Sequence, residues 1–185
     1  MTGMMKVSPE QSMAIFGTPY AGEQDTYRGK PKVVYWYELL KGLVDSVGVC
    51  CFTSKWVDVN FMGPEEYAEL ASLATGKTFT GDSLMLLGRK VHNIEKAFNT
   101  LHAGWGMEED YPPSRFFEEP VKSGPYKGAL FTREEWRQML EEYYRLHEWD
   151  PETGLQTEEL LGKLGLIFVL EELKGANKFS PKGSK

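Results

Sequence analysis

Asp45-Ser46-Val47-Gly48-Val49-Cys50 places a carboxylate, a glycine and a thiol within six residues, directly after a long amphipathic run. In that run, Val33, Trp36, Leu40, Leu43, Val44 and Val47 recur at spacings of three and four. The spacing predicts one apolar stripe on a helix over 33–47. Gly48 suits the left-handed position that commonly closes a helix. Asp45 falls in the last turn, where the helix dipole is negative, so its carboxylate opposes the field by a few tenths to about 1 kcal/mol. Such an acid fits a donor-rich partner, and Cys50 follows just beyond the turn. Taken alone, the residues read as a solvated acid and a buried thiol beside an ordinary helix end, and the rest of the sequence changes that reading.

Working outward, the flanking sequence predicts further helices and no strand pair. Ser8-Pro9-Glu10-Gln11 carries a cap, a first-turn proline and a glutamine three residues after the serine, which opens a short helix to about Phe16. Residues 17–29 are a Gly/Pro/Thr-rich loop, and 51–60 alternate weakly as extended chain or loop. Gly63-Pro64-Glu65-Glu66 begins a helix with apolar Tyr67, Leu70, Ala71 and Ala74, closed by Gly76. Leu84, Leu87, Val91, Ile94, Phe98 and Leu101 then form the clearest stripe of the chain, on a helix running to Gly104. Glycines and prolines over 104–131 forbid long regular structure, leaving one helical turn at Arg115–Glu118. Thr132-Arg133-Glu134-Glu135 opens a helix through Trp136, Leu140, Tyr143, Tyr144 and His147. Asp150–Gly154 is a turn, and Thr157 caps a last short helix ending at Gly165. The expected class is all-α: one irregular helical domain over 1–166 with a long Pro/Gly-rich ordered loop, then a variable end over 167–185.

Composition bounds the function. The chain has 185 residues, 41% hydrophobic and 26% charged, with net charge −6. These values suit a globular domain and argue against a nucleic-acid surface. Lys174, Lys178, Lys182 and Lys185, set among Gly, Ser and Pro, read as a disordered basic tail. No run approaches the roughly 18 apolar residues of a membrane span, and Met1–Lys6 shows no signal-peptide core. The two cysteines, Cys50 and Cys51, are adjacent, which excludes a disulfide framework and fits a reducing, cytoplasmic setting.

Four stretches, in register from about Ser8 to Leu166, resemble the C-terminal part of the aldehyde:ferredoxin oxidoreductase family of tungsten–pterin enzymes. Asp45–Thr53 is similar to the family's D-x-x-G-hydrophobic-C motif. Gly88–Asn99 resembles its G-x-R/K-I/V-x-N-x-E-K/R-x-F-N helix. Asp110–Pro120 with Gly124–Gly128, and Tyr143–Asp150 with Gly154–Thr157 and Leu164–Leu166, complete the set. The resemblance implies oxidation of aldehydes to carboxylic acids, with electrons leaving through a 4Fe-4S cluster to ferredoxin. It implies a tungsten- or molybdenum-bis-pterin shared with an upstream cofactor-binding domain. Cys50 is then one cluster ligand, Asp45 a hydrogen-bond acceptor for a pterin, and Gly48 and Val49 backbone close to the cofactor. The other three cluster cysteines and the acid–base residues lie upstream in the family, so the resemblance assigns no catalytic residue to this chain. Arg89 and Cys51 depart from the family pattern.

Other residues carry weaker signals. A zinc site from Cys50, Cys51 and the histidines lacks the usual spacing. His92 reads as a polar surface or interface residue opposite Leu87, Val91 and Ile94, and His102 and His147 as helix-end caps. Glu108–Asp110 and Glu118-Glu119 read as solvated acids, Arg115 as an ion-paired anchor for the long loop, and the five tryptophans as core or interface anchors. The alternative function is a stand-alone helical interaction module that keeps the family fold without its chemistry.

Overall fold

A computed structural model describes residues 7–23 and 26–181. Met1–Lys6, read above for a signal core, and Lys182 and Lys185 of the basic tail lie outside them. The fold is all-α: α1 (Pro9–Phe16), α2 (Lys30–Val47), α3 (Pro64–Thr75), α4 (Gly81–Ala103), α5 (Arg115–Glu118), α6 (Arg133–His147), α7 (Glu158–Lys163) and α8 (Ile167–Gly175). Only isolated bridges, Ser54 with Met62 and Thr157 with Ser180, occur outside the helices among the described residues. No described helix is long and apolar enough to cross a membrane. The chain divides into two compact units, one of residues 1–24 and 32–96, the other of 25–31 and 97–185.

In the first unit, Leu40, Leu43 and Val44 of α2 pack with Tyr67 and Ala68 of α3 and Leu84 of α4, over Trp36, Val47 and Cys51. The α2 stripe is therefore the buried face that its spacing predicts. α1 begins as expected: Ser8 and Gln11 cap one another, and Phe16 joins Ala21 and Val33 in a satellite core. α2 and α4 touch backbone to backbone at Gly42 and Gly88. A Cβ on Gly88 would stand 2.0 Å from the Leu39 carbonyl oxygen, and one on Gly42 2.8 Å from that of Gly88. Glycine permits this approach, and it sets which side of α4 faces inward.

That side is not the apolar stripe. Leu84 is buried, but Leu87, Ile94 and Phe98 are exposed, and Leu70 and Leu73 of α3 are exposed as well. The inner side of α4 carries Gly88 and the fully buried Asn93, whose side-chain amide donates to the Arg89 carbonyl (2.9 Å). His92, expected as a polar surface or interface residue, is half-buried at the contact with α2, with Nε2 3.6 Å from Glu38. The spacing found the helix; the close glycine contact chose its orientation.

In the second unit, Leu140 and Tyr144 of α6 pack with Trp149, Leu160 and Leu161 of α7 and Val169, Leu170 and Leu173 of α8. α8 lies beyond the last expected helix, and its apolar face is part of this core. Lys174 sits in the last turn of α8, and the Lys178 ammonium donates to the carbonyls of Thr100 and Leu101 (3.1 and 3.0 Å), so both belong to ordered structure and not to a disordered tail. His147 ends α6, as expected of a helix-end residue, but it is fully buried and stacks on Trp149 with ring centroids 4.4 Å apart, so it also serves as a core aromatic.

The Pro/Gly-rich segment is ordered as expected, including the single turn α5. Its tether is Asp110, which accepts from the Tyr144 hydroxyl (2.7 Å) and, at its carbonyl, from the Trp136 indole (3.2 Å). Burial, then the Asp110 carboxylate, pushes the Tyr144 hydroxyl well above the ordinary tyrosine value. Arg115 does pair with Glu119 (3.6 Å), but both are exposed and such a pair anchors little. Aromatic packing of Phe117 and Phe131 on Trp136 holds the loop instead.

Candidate functional site

The exit of α2 is built by two nested backbone bonds. Gly48, at φ 75°, donates to the Asp45 carbonyl (3.2 Å), and Val49 donates to the Val44 carbonyl (3.4 Å). These are the two bonds of a Schellman closure, and the left-handed residue they need is the glycine. The chain then makes a tight 3-10 turn over Cys51–Thr53. The Cys50 carbonyl accepts from both the Thr53 amide (3.1 Å) and its hydroxyl (2.8 Å). With that hydroxyl proton engaged, the 2.9 Å contact from Thr53 to Tyr67 has the Tyr67 phenol as donor. Lys55 N–H donates to the Met62 carbonyl (2.8 Å) and Met62 N–H to that of Thr53 (3.2 Å). The Tyr37 hydroxyl donates to the Lys55 carbonyl (3.2 Å). The turn after Cys50 is thus fastened to α2, to α3 and to the loop at 60–62.

Asp45, Gly48, Val49 and Cys50 all come together on this exit, and all are exposed. The adjacent thiols part company: Cys50 is free and exposed, while Cys51 is half-buried against the core of the first unit. Among the described residues, neither cysteine lies in a group of three side chains that could hold a metal ion. Nothing lies within 4 Å of where a Cβ on Gly48 would stand, so the backbone there is open to close approach.

Two features of the site escape a reading of motifs. Lys41 forms an ion pair with Asp45 one turn on, and the hydrogen bond to that carboxylate holds the Lys41 ammonium above the ordinary lysine range. The signal was the i, i+4 spacing, which also explains how an acid in a negative helix end is offset. The second is apolar: Val49 (38% exposed), Phe52 (65%) and Phe61 (46%) stand out from the surface of the chain that follows the helix exit. Phe52, Phe61 and Met62, with Thr53 and Asn60, line a shallow hollow of about 410 Å³.

The family model described as "Aldehyde ferredoxin oxidoreductase, domains 2 & 3" matches residues 2–166. A tungsten-containing aldehyde ferredoxin oxidoreductase of Pyrococcus horikoshii is 36% identical over 162 residues, 86% of this chain and 24% of the relative. The protein of the same name from Thermococcus kodakarensis is 33% identical over 166 residues, 89% of this chain and 25% of the relative. A Pyrococcus furiosus protein named aliphatic sulfonate oxidoreductase, WOR-like subunit, is 28% identical over 85% of this chain and 25% of its own length. The chain spans about a quarter of the length of the curated relatives it matches.

Proposed function

Since the chain belongs to the aldehyde ferredoxin oxidoreductase family, we propose that it is the C-terminal helical part of a tungsten–pterin enzyme that oxidises aldehydes to carboxylic acids. The remaining parts of that enzyme are an upstream cofactor-binding domain, and its electron acceptor is ferredoxin in the cytoplasm. When bound, the tungsten–pterin supplies two-electron oxidation of the aldehyde, and the 4Fe-4S cluster carries the electrons onward one at a time.

The observation that carries this reading is the exposed Cys50 thiol on a fastened turn, with the Asp45 carboxylate exposed on the same helix exit. The donor set fits one corner of a shared cluster and not a whole one. A 4Fe-4S cluster takes four thiolates, and this chain has two cysteines, one of which is turned toward the core. Cys50 provides a single thiolate, and three come from elsewhere in the enzyme. Asp45 accepts hydrogen bonds from pterin N–H groups, exchanging its Lys41 partner for them at little cost because that pair is solvent-exposed. The open backbone at Gly48 and Val49 lets the cofactor edge lie against the main chain. The chain by itself is expected to have no turnover, because in this reading the base for the metal–pterin and three of the cluster ligands belong to the upstream domain.

The test is Cys50→Ser in the anaerobically purified holoenzyme. The expected result is loss of most cluster iron and of the broad visible absorbance of the cluster, with the fold of the exposed turn retained. An unchanged iron content removes Cys50 from the ligand set.

A further inference from the structure

We propose that Lys41, the ion-pair partner of Asp45, is a tuning residue for the cofactor: its ammonium remains at the α2 exit when Asp45 turns to the pterin, and it raises the reduction potential of the cluster that Cys50 ligates. The inference rests on the roles given above to Asp45 and Cys50. Lys41 stands four residues before Asp45, which puts both side chains on one face of α2, and the two are ion-paired there. Both side chains are open to solvent, at 43% and 55% exposure, so both are free to change partners.

The helix gains little from either residue. The acid lies in the last turn of α2, against the dipole, and that turn holds no basic residue. The pair also runs in the weaker order, because an i, i+4 pair stabilises a helix better with the acid N-terminal to the base. An exposed pair of this kind contributes little to the fold in any case. What the arrangement does achieve is to bring a fixed cation and a strong acceptor to the helix exit that carries the thiol. The bond to Asp45 keeps the ammonium charged beyond the ordinary lysine range. After Asp45, the groups whose negative forms the ammonium feels are Cys51 and then Glu95 of α4, so its field already reaches the residue bonded to Cys50. When the pterin N–H groups take over the Asp45 carboxylate, Lys41 loses its nearest counter-charge. Cofactor packed there also displaces water, so the cation is screened less. Four thiolates make the cluster anionic, and its one-electron reduction adds one more negative charge. A cation nearby therefore favours the reduced form, net charge being one of the terms that sets a cluster's potential.

The experiment is an anaerobic redox titration of the holoenzyme that contains this chain, followed by the EPR signal of the reduced cluster. Lys41→Met removes the charge and keeps a side chain of similar length. At the potential where half of the unsubstituted cluster is reduced, its ratio of reduced to oxidised cluster should fall several-fold, with iron content unchanged. Lys41→Arg keeps the charge and should keep the ratio. An unchanged ratio in Lys41→Met overturns the proposal. So does an equal fall in Lys41→Arg, which would show that the side chain matters for its shape and not its charge. Loss of iron in Lys41→Met also overturns it, by making Lys41 a structural residue. Cys50→Ser separates this inference from the ligand assignment. Iron retained in Cys50→Ser, with the ratio shifted in Lys41→Met, keeps the charge effect and rejects Cys50 as its route. Iron lost in Cys50→Ser, with no shift in Lys41→Met, keeps the ligand and rejects the tuning role.

Discussion

Tyr37 shows what a single residue contributes to the turn that carries Cys50. Its ring packs against Phe16 and Trp36, and its hydroxyl donates to Lys55, so burial, with the Asp58 charge second, pushes its pKa up to about 12. The neutral phenol is favoured in the folded chain, while an unfolded tyrosine ionises near the ordinary value of 10.0. The stability that this group contributes is whole below pH 10.0 and is lost as pH rises toward about 12. Titrating phenolate absorbance should show late tyrosines besides the ordinary ones, Tyr144 among them, and Tyr37→Phe should remove one of these and flatten the alkaline fall in melting temperature. At this scale the helix exit is legible in the sequence. Asp45, Gly48 and Cys50 occupy the helix exit that their order implies, because a Schellman closure is local. Lys41 is legible in principle as the residue four before Asp45, and the exposure of Phe52 and Phe61 is not. Whether an aromatic near a loop is core or surface depends on what the rest of the chain covers.

At the scale of elements, α4 departs most from its sequence pattern. Apolar residues at helical spacing normally mark the buried face, yet here Leu87 and Ile94 are exposed and the inner side carries Gly88 and Asn93. The close approach to α2 explains this. Large side chains on the inner side would hold the two helices several ångströms further apart than the contact at Gly42 and Gly88. Three variants test the orientation by chemical denaturation of the chain. Leu84→Ala should cost about 2–5 kcal/mol, as a buried leucine does. Gly88→Ala should cost about 1–3 kcal/mol through overpacking against Leu39. Ile94→Lys should stay within about 0.5 kcal/mol. If Ile94→Lys were the most damaging of the three, α4 would face the other way.

Across the whole molecule, two units each hold a core of their own, and the last helix belongs to the second. α8 begins at Ile167, just past the end of the family match at residue 166. Its Leu173 is nonetheless fully buried against α6 and α7. Leu173→Ala should therefore cost about 2–5 kcal/mol in a denaturant titration followed by tryptophan fluorescence, with Trp149 as the core reporter. A neutral effect would mean that the segment after residue 166 is dispensable to the core. From sequence, Leu164–Leu170 was visible as an apolar run, but its length is ambiguous between strand, loop and helix, and the glycine at 165 reads as a stop.

The sequence by itself determined the all-α class, the cap and glycine boundaries of most helices, the ordered Pro/Gly loop and the place of Asp45, Gly48 and Cys50 on one helix exit. Those features depend on neighbours within a turn or two, where propensity, capping and φ angle decide. Only the tertiary structure decided which face of α4 is inside, that His147 is a core ring, that α8 completes the second core, and that Cys50 is open while Cys51 turns inward. Each of these depends on which distant backbone comes close, and a residue's own spacing carries no record of that.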